Sequence, residues 1–140
     1  METRSAHGDD LAKLIAIDEV ARRPDESRKR FLAERLADRQ MLVAADGEQV
    51  VGYVVQDCSF FERGFVHVLY VSEEHRRRGV GAALLAAAVA ACGTSRVFTS
   101  TNRSNERMQA LLDKLGWQRA GEVYGLDEGD PEVFFYADSS

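Results

Sequence analysis

Residues 75–85 read HRRRGVGAALL, three arginines and two glycines set directly before an apolar run. The stretch before them, GFVHVLYVS (64–72), is rich in β-branched and aromatic residues and predicts a strand ending near Ser72. The stretch GVGAALLAAAVAACG (79–93) is built from strong helix formers and predicts a helix, with Gly93 at its C-terminal stop. A strand, a short basic turn and a helix N-terminus therefore follow one another. N–H groups at a helix N-terminus lack intrahelical acceptors and carry partial positive charge, so they bind anions. Glycine lets backbone come close to a phosphate, and arginine adds charge and bidentate geometry. The competing reading is a solvated basic turn whose glycines serve tight turning and close helix–strand packing.

Two phosphate motifs fail on these residues. A Walker A loop ends Gly-Lys-Ser/Thr, but Gly81 is followed by Ala82 and Ala83. The dinucleotide fingerprint needs a small residue where Leu84 stands and an acid about 20 residues later, where Thr99 and Ser100 stand. On this stretch alone, the cradle and the packed turn both remain open.

The rest of the chain sets the bounds. Its 140 residues suit one domain, spanning 1–140, and a hydrophobic fraction of 45% argues against disorder. The net charge of -5 argues against a nucleic-acid binder and makes the arginine cluster a local exception. No run of about 18 apolar residues predicts a membrane span. METRSAHGDD has no apolar signal core, so a cytoplasmic setting is expected. Cys58 and Cys92, and His7, His67 and His75, are scattered and predict no metal site.

TRSA (3–6) predicts a first strand, and DDLAKLIAIDEVAR (9–22) a helix capped by Asp9. After Pro24, a second helix runs from an Asp25 cap to about Asp38. MLVAADGEQVVGYVVQD (41–57) is a hairpin around Asp46-Gly47. SRVFTST (95–101) is a strand, SNERMQALLDKLG (104–116) a helix, and WQRAGEVYG (117–125) and EVFFYAD (132–138) are strands. The order β-α-α-β-β-β-α-β-α-β-β predicts a mixed α/β sheet.

With these elements in place, VLYVSEEHRRRGVGAALL (68–85) resembles the acetyl-CoA loop of the GNAT superfamily of N-acetyltransferases, whose pattern is Gln/Arg-x-x-Gly-x-Gly/Ala between a strand and a helix. Arg76 to Gly81 match it in full. NERMQALLDKLGW (105–117) resembles the family's later helix, with Asn105, Lys114, Gly116 and Trp117 on matching positions. The resemblance implies a mixed, mostly antiparallel sheet with splayed central strands flanked by helices. It implies acetyl-CoA as co-substrate, no metal, and transfer to a primary amine, small or peptide, by direct attack. A homodimer is compatible with it; nucleic-acid and membrane partners are not implied.

By this resemblance, the backbone of Arg76, Arg77, Arg78, Gly79, Val80, Gly81 and Ala82 holds the pyrophosphate. Backbone groups at Leu69, Tyr70 and Val71 bond the pantetheine arm, and the Val71 N–H region faces the oxyanion. The alternative for the arginines is a solvated charge run, and for the strand residues ordinary packing. Asn105 is implied to bond the arm; its other reading is a helix N-cap. Leu112 stands where many relatives carry a proton-donating tyrosine, so it can only pack or flank the arm. His67 shares a face with Phe65, Leu69 and Val71 and lies near where some relatives place a general base. Imidazole suits that role, although a satisfied strand histidine is the plainer reading. The acidic tail around Asp127, Glu128, Asp130 and Glu132 reads as a polar turn or as a lure for a cationic amine. A CoA-sensing module without catalysis, or another nucleotide binder reusing the loop, are the rival functions.

Overall fold

The computed structural model describes residues 1–139. Its elements are β1 (Glu2–Ser5), α1 (Leu11–Ile17), α2 (Ser27–Ala37), β2 (Met41–Asp46), β3 (Gln49–Phe60), β4 (Arg63–Val71), α3 (Val80–Cys92), β5 (Arg96–Asn102), α4 (Glu106–Lys114), β6 (Gln118–Val123) and β7 (Glu132–Asp138). Short 3-10 turns lie at Gly8–Asp10 and Glu73–His75. The strand order is β1-β2-β3-β4-β5-β7-β6. The β4–β5 pairing is parallel, and the β1–β2, β2–β3, β5–β7 and β6–β7 pairings are antiparallel. This is the mixed, mostly antiparallel α/β sheet expected from the sequence. Two compact units can be distinguished, Met1–Gln56 with Val68–Ala88, and Asp57–His67 with the chain from Val89 onward.

In the first unit, Leu14, Leu32, Met41, Val43, Val50, Tyr53 and Val55 form a buried core against which Val68 and Tyr70 pack. The first helix is shorter than the apolar spacing predicts, and Asp18 is the reason. It takes an extended conformation at φ -95°, ψ 104°, and its carboxylate accepts the Val20 N–H at 2.9 Å and the Ala21 N–H at 3.4 Å. A side chain that captures nearby N–H groups competes with the helix for them. Asp18 is fully buried and also accepts Arg28 Nη1 at 3.1 Å and the Tyr53 hydroxyl. Burial, and then Asp18, push the Tyr53 phenol far above its usual range. The predicted Asp9 cap is corrected to Asp10, whose carboxylate accepts the His7 N–H at 2.7 Å and pairs with Arg4 at 2.8 Å. The Arg4 bond outweighs burial and holds the Asp10 carboxyl below its usual range.

Gly52 on β3 marks the tightest approach in this unit. A Cβ there would stand 2.8 Å from the Tyr70 carbonyl oxygen and 3.2 Å from Leu84 Cδ1. Only hydrogen at this position lets the end of β4 and the first turns of α3 close on β3.

In the second unit, β5 and β7 alternate cleanly. Val97, Thr99, Thr101, Val133 and Phe135 are buried, while Phe98, Ser100, Phe134 and Tyr136 on the opposite face are half-buried. Strand β6 is exposed along its length, and its register on β7 shifts between Arg119 and Gly121.

Two outcomes are expected from this packing. Gly52→Ala forces a backbone oxygen to move and should lower unfolding free energy by about 1–3 kcal/mol, read from urea midpoints. Asp18→Ala strands the Tyr53 hydroxyl and two N–H groups and should cost about 3 kcal/mol, more than Tyr53→Phe, which removes a single donor.

Candidate active site

Strand β4 carries both groups of interest. In the first unit, its end feeds the basic turn. The Ser72 N–H reaches back to the Val51 carbonyl at 2.8 Å. Alternation along the strand therefore turns the Val71 N–H toward the opposite edge. The ladder to β5 covers Gly64↔Val97 to Val66↔Thr99, whereas β4 continues to Val71. Tyr70 stacks on Tyr53 at 5.9 Å between ring centroids, so its side chain serves the core while its backbone belongs to the strand end.

The turn is tightly shaped. Ser72 Oγ and His75 Nδ1 lie 2.7 Å apart across the 3-10 turn. Arg76 folds back over β4: its Nε donates to the Val71 carbonyl at 3.1 Å and its guanidinium carbon lies 5.7 Å from the Tyr70 ring centroid. Arg77 is left-handed at φ 67°, and Gly79 at φ 79°. A Cβ at Gly79 would meet nothing within 4 Å, so glycine is required there by conformation and not by crowding. The Gly79 carbonyl accepts the Ala83 N–H at 3.0 Å, which makes Gly79 the helix cap. The N–H groups of Val80, Gly81 and Ala82 then have no intrahelical acceptor. Val80 is buried and anchors this first turn, and the small Gly81 and Ala82 follow it. Arg77 and Arg78 are exposed. The result is an open row of backbone donors at the positive end of a helix with two exposed guanidinium groups beside it.

In the second unit, His67 Nε2 lies 2.8 Å from Asp57 Oδ1 and 3.4 Å from Ser59 Oγ. Burial raises the Asp57 carboxyl, but bonds from the Ser59 hydroxyl, His67 and the Ser59 N–H outweigh it and leave the carboxyl below its usual range. An ionised Asp57 accepts the Nε2 proton, so His67 Nδ1 is left as the basic nitrogen. The sequence reading missed Asp57 and Ser59 because it ended β3 at Asp57. The strand runs on to Phe60 and turns through Phe61 and Glu62, both left-handed at φ 52° and 65°. Such two-residue turns favour Asn-Gly, and Phe-Glu gives no turn signal.

Two implied contacts take structural positions. Asn105 is the N-cap of α4, its Oδ1 accepting the Met108 N–H at 3.1 Å. The neighbouring Ser104 and Asn102 side chains donate to Asp130 at 2.6 Å and Asp127 at 2.8 Å. The acidic tail is thereby tied into a turn, and the Ser104 hydroxyl and N–H hold the Asp130 carboxyl below its usual range. Leu112 is completely buried and occupies a core position. Among the described residues, no group of three or more His, Cys, Asp or Glu is arranged to hold a metal ion. No described helix is long and apolar enough to cross a membrane.

The model of the acetyltransferase (GNAT) family matches residues 9–117. A GNAT-family acetyltransferase from Bacillus cereus ATCC 10987 is 31% identical and superposes with a TM-score of 0.89, over 98% of this chain and 96% of that one. The fold is shared with an N-acetyltransferase from Staphylococcus aureus Mu50, at 19% identity, TM-score 0.77, and coverage of 99% and 98%. It is shared also with a ribosomal-protein-alanine N-acetyltransferase from Brucella melitensis, at 23% identity, TM-score 0.74, and coverage of 99% of each chain. No curated protein matches the sequence. With the family model spanning residues 9–117 and a family member 31% identical over nearly the whole chain, the chain belongs to the GNAT family of acetyltransferases.

Proposed function

We propose that the protein is a single-domain enzyme that transfers the acetyl group of acetyl-CoA to a primary amine by direct attack within a ternary complex. The observation that carries this reading is the turn at Arg76–Ala83, where the left-handed Gly79 cap leaves the N–H groups of Val80, Gly81 and Ala82 without intrahelical acceptors. Those groups would hold the pyrophosphate, with Arg77 and Arg78 adding charge from the rim and Arg76 bracing the turn against β4. Backbone groups at Leu69, Tyr70 and Val71 would take the pantetheine amides in the manner of an added strand. Asn105 keeps only its side-chain nitrogen for the arm, and Leu112 supports the helix from within.

Bound acetyl-CoA supplies a thioester carbonyl that a neutral amine can attack. Acceptor amines are mostly protonated near neutrality, so the protein must first take a proton. His67 Nδ1 is suited to that, because Asp57 holds the Nε2 proton and stabilises the charged ring. The amine nitrogen then bonds to the carbonyl carbon, and the Val71 N–H donates to the oxygen as it gains charge. The C–S bond breaks, the nitrogen gives up its second proton to solvent, and the thiolate takes one from solvent, as Leu112 has none to give.

Acetyl-CoA should raise the melting temperature. At 100 times Kd the linkage is about 2.7 kcal/mol, and no shift at millimolar ligand would remove the cofactor assignment. Gly81→Val places a branched side chain among the donors and should weaken acetyl-CoA binding, measured by calorimetry, far more than Arg77→Ala. The reverse order in folded variants would put the binding on side chains.

His67→Ala should lower kcat/KM by roughly 10²–10⁴-fold and flatten the acid limb of its pH profile. Asp57→Asn, which preserves shape but no longer fixes the imidazole tautomer, should lower it as well. An unchanged profile in folded His67→Ala would return His67 to a purely structural place on the strand.

A further inference from the structure

The second unit has an aromatic face that the acetyl-transfer chemistry above does not use. The rings of Phe60, Phe65, Phe98 and Phe134 lie in mutual contact, with Phe60 at 5.0 Å from Phe65, 5.1 Å from Phe98 and 5.7 Å from Phe134. All four are only half-buried, and Phe61, edge-on to Phe60 at 5.0 Å, is 77% exposed. Core phenylalanines would be expected on the buried face, beside Val97, Thr99 and Phe135. Here Phe60, Phe61, Phe98 and Phe134 line a groove of about 350 Å³ whose walls are completed by Val123 and Glu122. The register shift in β6 sets Gly121, which has no side chain, opposite Phe134.

Phe65 connects the rings of the groove to the proton-accepting pair. The Phe65 ring, which touches Phe60 and lies 6.2 Å from Phe134, is edge-on to the His67 imidazole at 4.9 Å. A ligand lying on Phe60 and Phe134 therefore has its neighbouring end at His67 and Asp57. Two carboxylates flank this path, with Arg63 at the Phe61 carbonyl as a cationic neighbour. Asp57 stands at the imidazole, and Glu122 stands at the rim, where it accepts the Tyr124 hydroxyl at 2.8 Å and pairs loosely with Arg103 at 3.6 Å. Aromatic faces favour flat apolar rings and organic cations, and the carboxylates disfavour an anionic ligand.

We infer that this groove is the acceptor subsite and that the acceptor is a primary amine with a flat aromatic body and no carboxylate, an arylalkylamine. The inference rests on the acetyl-transfer reading with His67 as base, and it names which amine that base serves. The ring occupies the groove between Phe61, Phe98 and Phe134, and the aminoalkyl arm runs past Phe65 to His67. Asp57 and Glu122 disfavour a carboxylate on the acceptor, and a polyamine, though cationic, has no flat ring to fill the groove.

The test compares 2-phenylethylamine with hexylamine, spermidine and an alanine-initiated peptide. Each is measured for binding by calorimetry in the presence of CoA and for CoA release with acetyl-CoA. Phenylethylamine should have the highest kcat/KM, by about tenfold or more over hexylamine, the range that apolar pocket contacts supply. Phe61→Ala at the exposed turn, and Phe134→Leu as a conservative change in the wall, should each raise KM for phenylethylamine with a smaller effect on kcat. Binding of phenylethylamine, weakened by both variants but without CoA release, would support the groove and overturn the acetyl-transfer reading. Turnover of spermidine or the peptide, with phenylethylamine neither bound nor acetylated, would overturn the groove and leave acetyl transfer standing. A dimer in solution that Phe61→Ala dissociates, with no arylalkylamine bound, would overturn the subsite and assign the face to a second copy of the chain.

Discussion

The absence of one methyl group governs the geometry of the turn between β4 and α3. At Gly52, the Tyr70 carbonyl and the Leu84 side chain occupy the space a Cβ would need. Beside it, the Ser72 N–H is fixed on the Val51 carbonyl, so the last residues of β4 are pinned to β3 at two neighbouring points. Leu84 lies one turn into α3, and Val80 at its start is buried. The strand end and the helix start are therefore both located by packing before the turn between them is considered. The turn has little freedom left, and it meets its ends through left-handed Arg77 and Gly79 and the return of Arg76 to Val71. Backbone donors aimed at a phosphate must be held still to be useful, and here the holding is done from below.

Much of this was legible in the sequence because it rests on local chemistry. A β-rich run, a basic turn with two glycines and an alanine-rich helix each announce themselves within a few residues, and Gly79 fell where a left-handed cap was needed. The weaker readings concern residues whose partners are distant in sequence. Asp18 lies on the apolar spacing of a longer helix, and only Arg28 and Tyr53, 10 and 35 residues away, explain why it turns inward. Asn105 reads in the sequence as either a helix cap or a ligand contact; the bonds of Asn102 to Asp127 and of Ser104 to Asp130, in the connection between β6 and β7, accompany its cap on Met108. The pairing of Asp57 with His67 depended on a hairpin whose Phe-Glu turn carries none of the usual residues.

The two faces of β5 and β7 show a similar limit of pattern reading. Alternation correctly separates Val97, Thr99 and Thr101 from Phe98 and Ser100. It does not say which face is covered, and hydrophobicity points the wrong way, because the larger apolar side chains lie on the more open face. Threonines can be buried on the other side because they bond locally, as Thr99 does by donating to the Val66 carbonyl at 2.9 Å. A sheet face of half-exposed phenylalanines is costly to keep in water, which gives it an interest beyond packing.

Proton handling brings the two units' chemistry to one question. Leu112 is fully buried and has no proton to give, so on the proposed reading α4 supplies no acid and the base carries the proton handling. A thiol's ordinary pKa of about 8.5 makes the CoA thiolate a workable leaving group without an acid, whereas a protonated amine of about 10 cannot attack at all. The asymmetry favours a site that invests in a base. Asp57 meets that need economically: hydrogen bonds from Ser59 and His67 keep its carboxyl ionised despite burial, and an ionised carboxylate is what orients and stabilises an imidazole that must accept a proton.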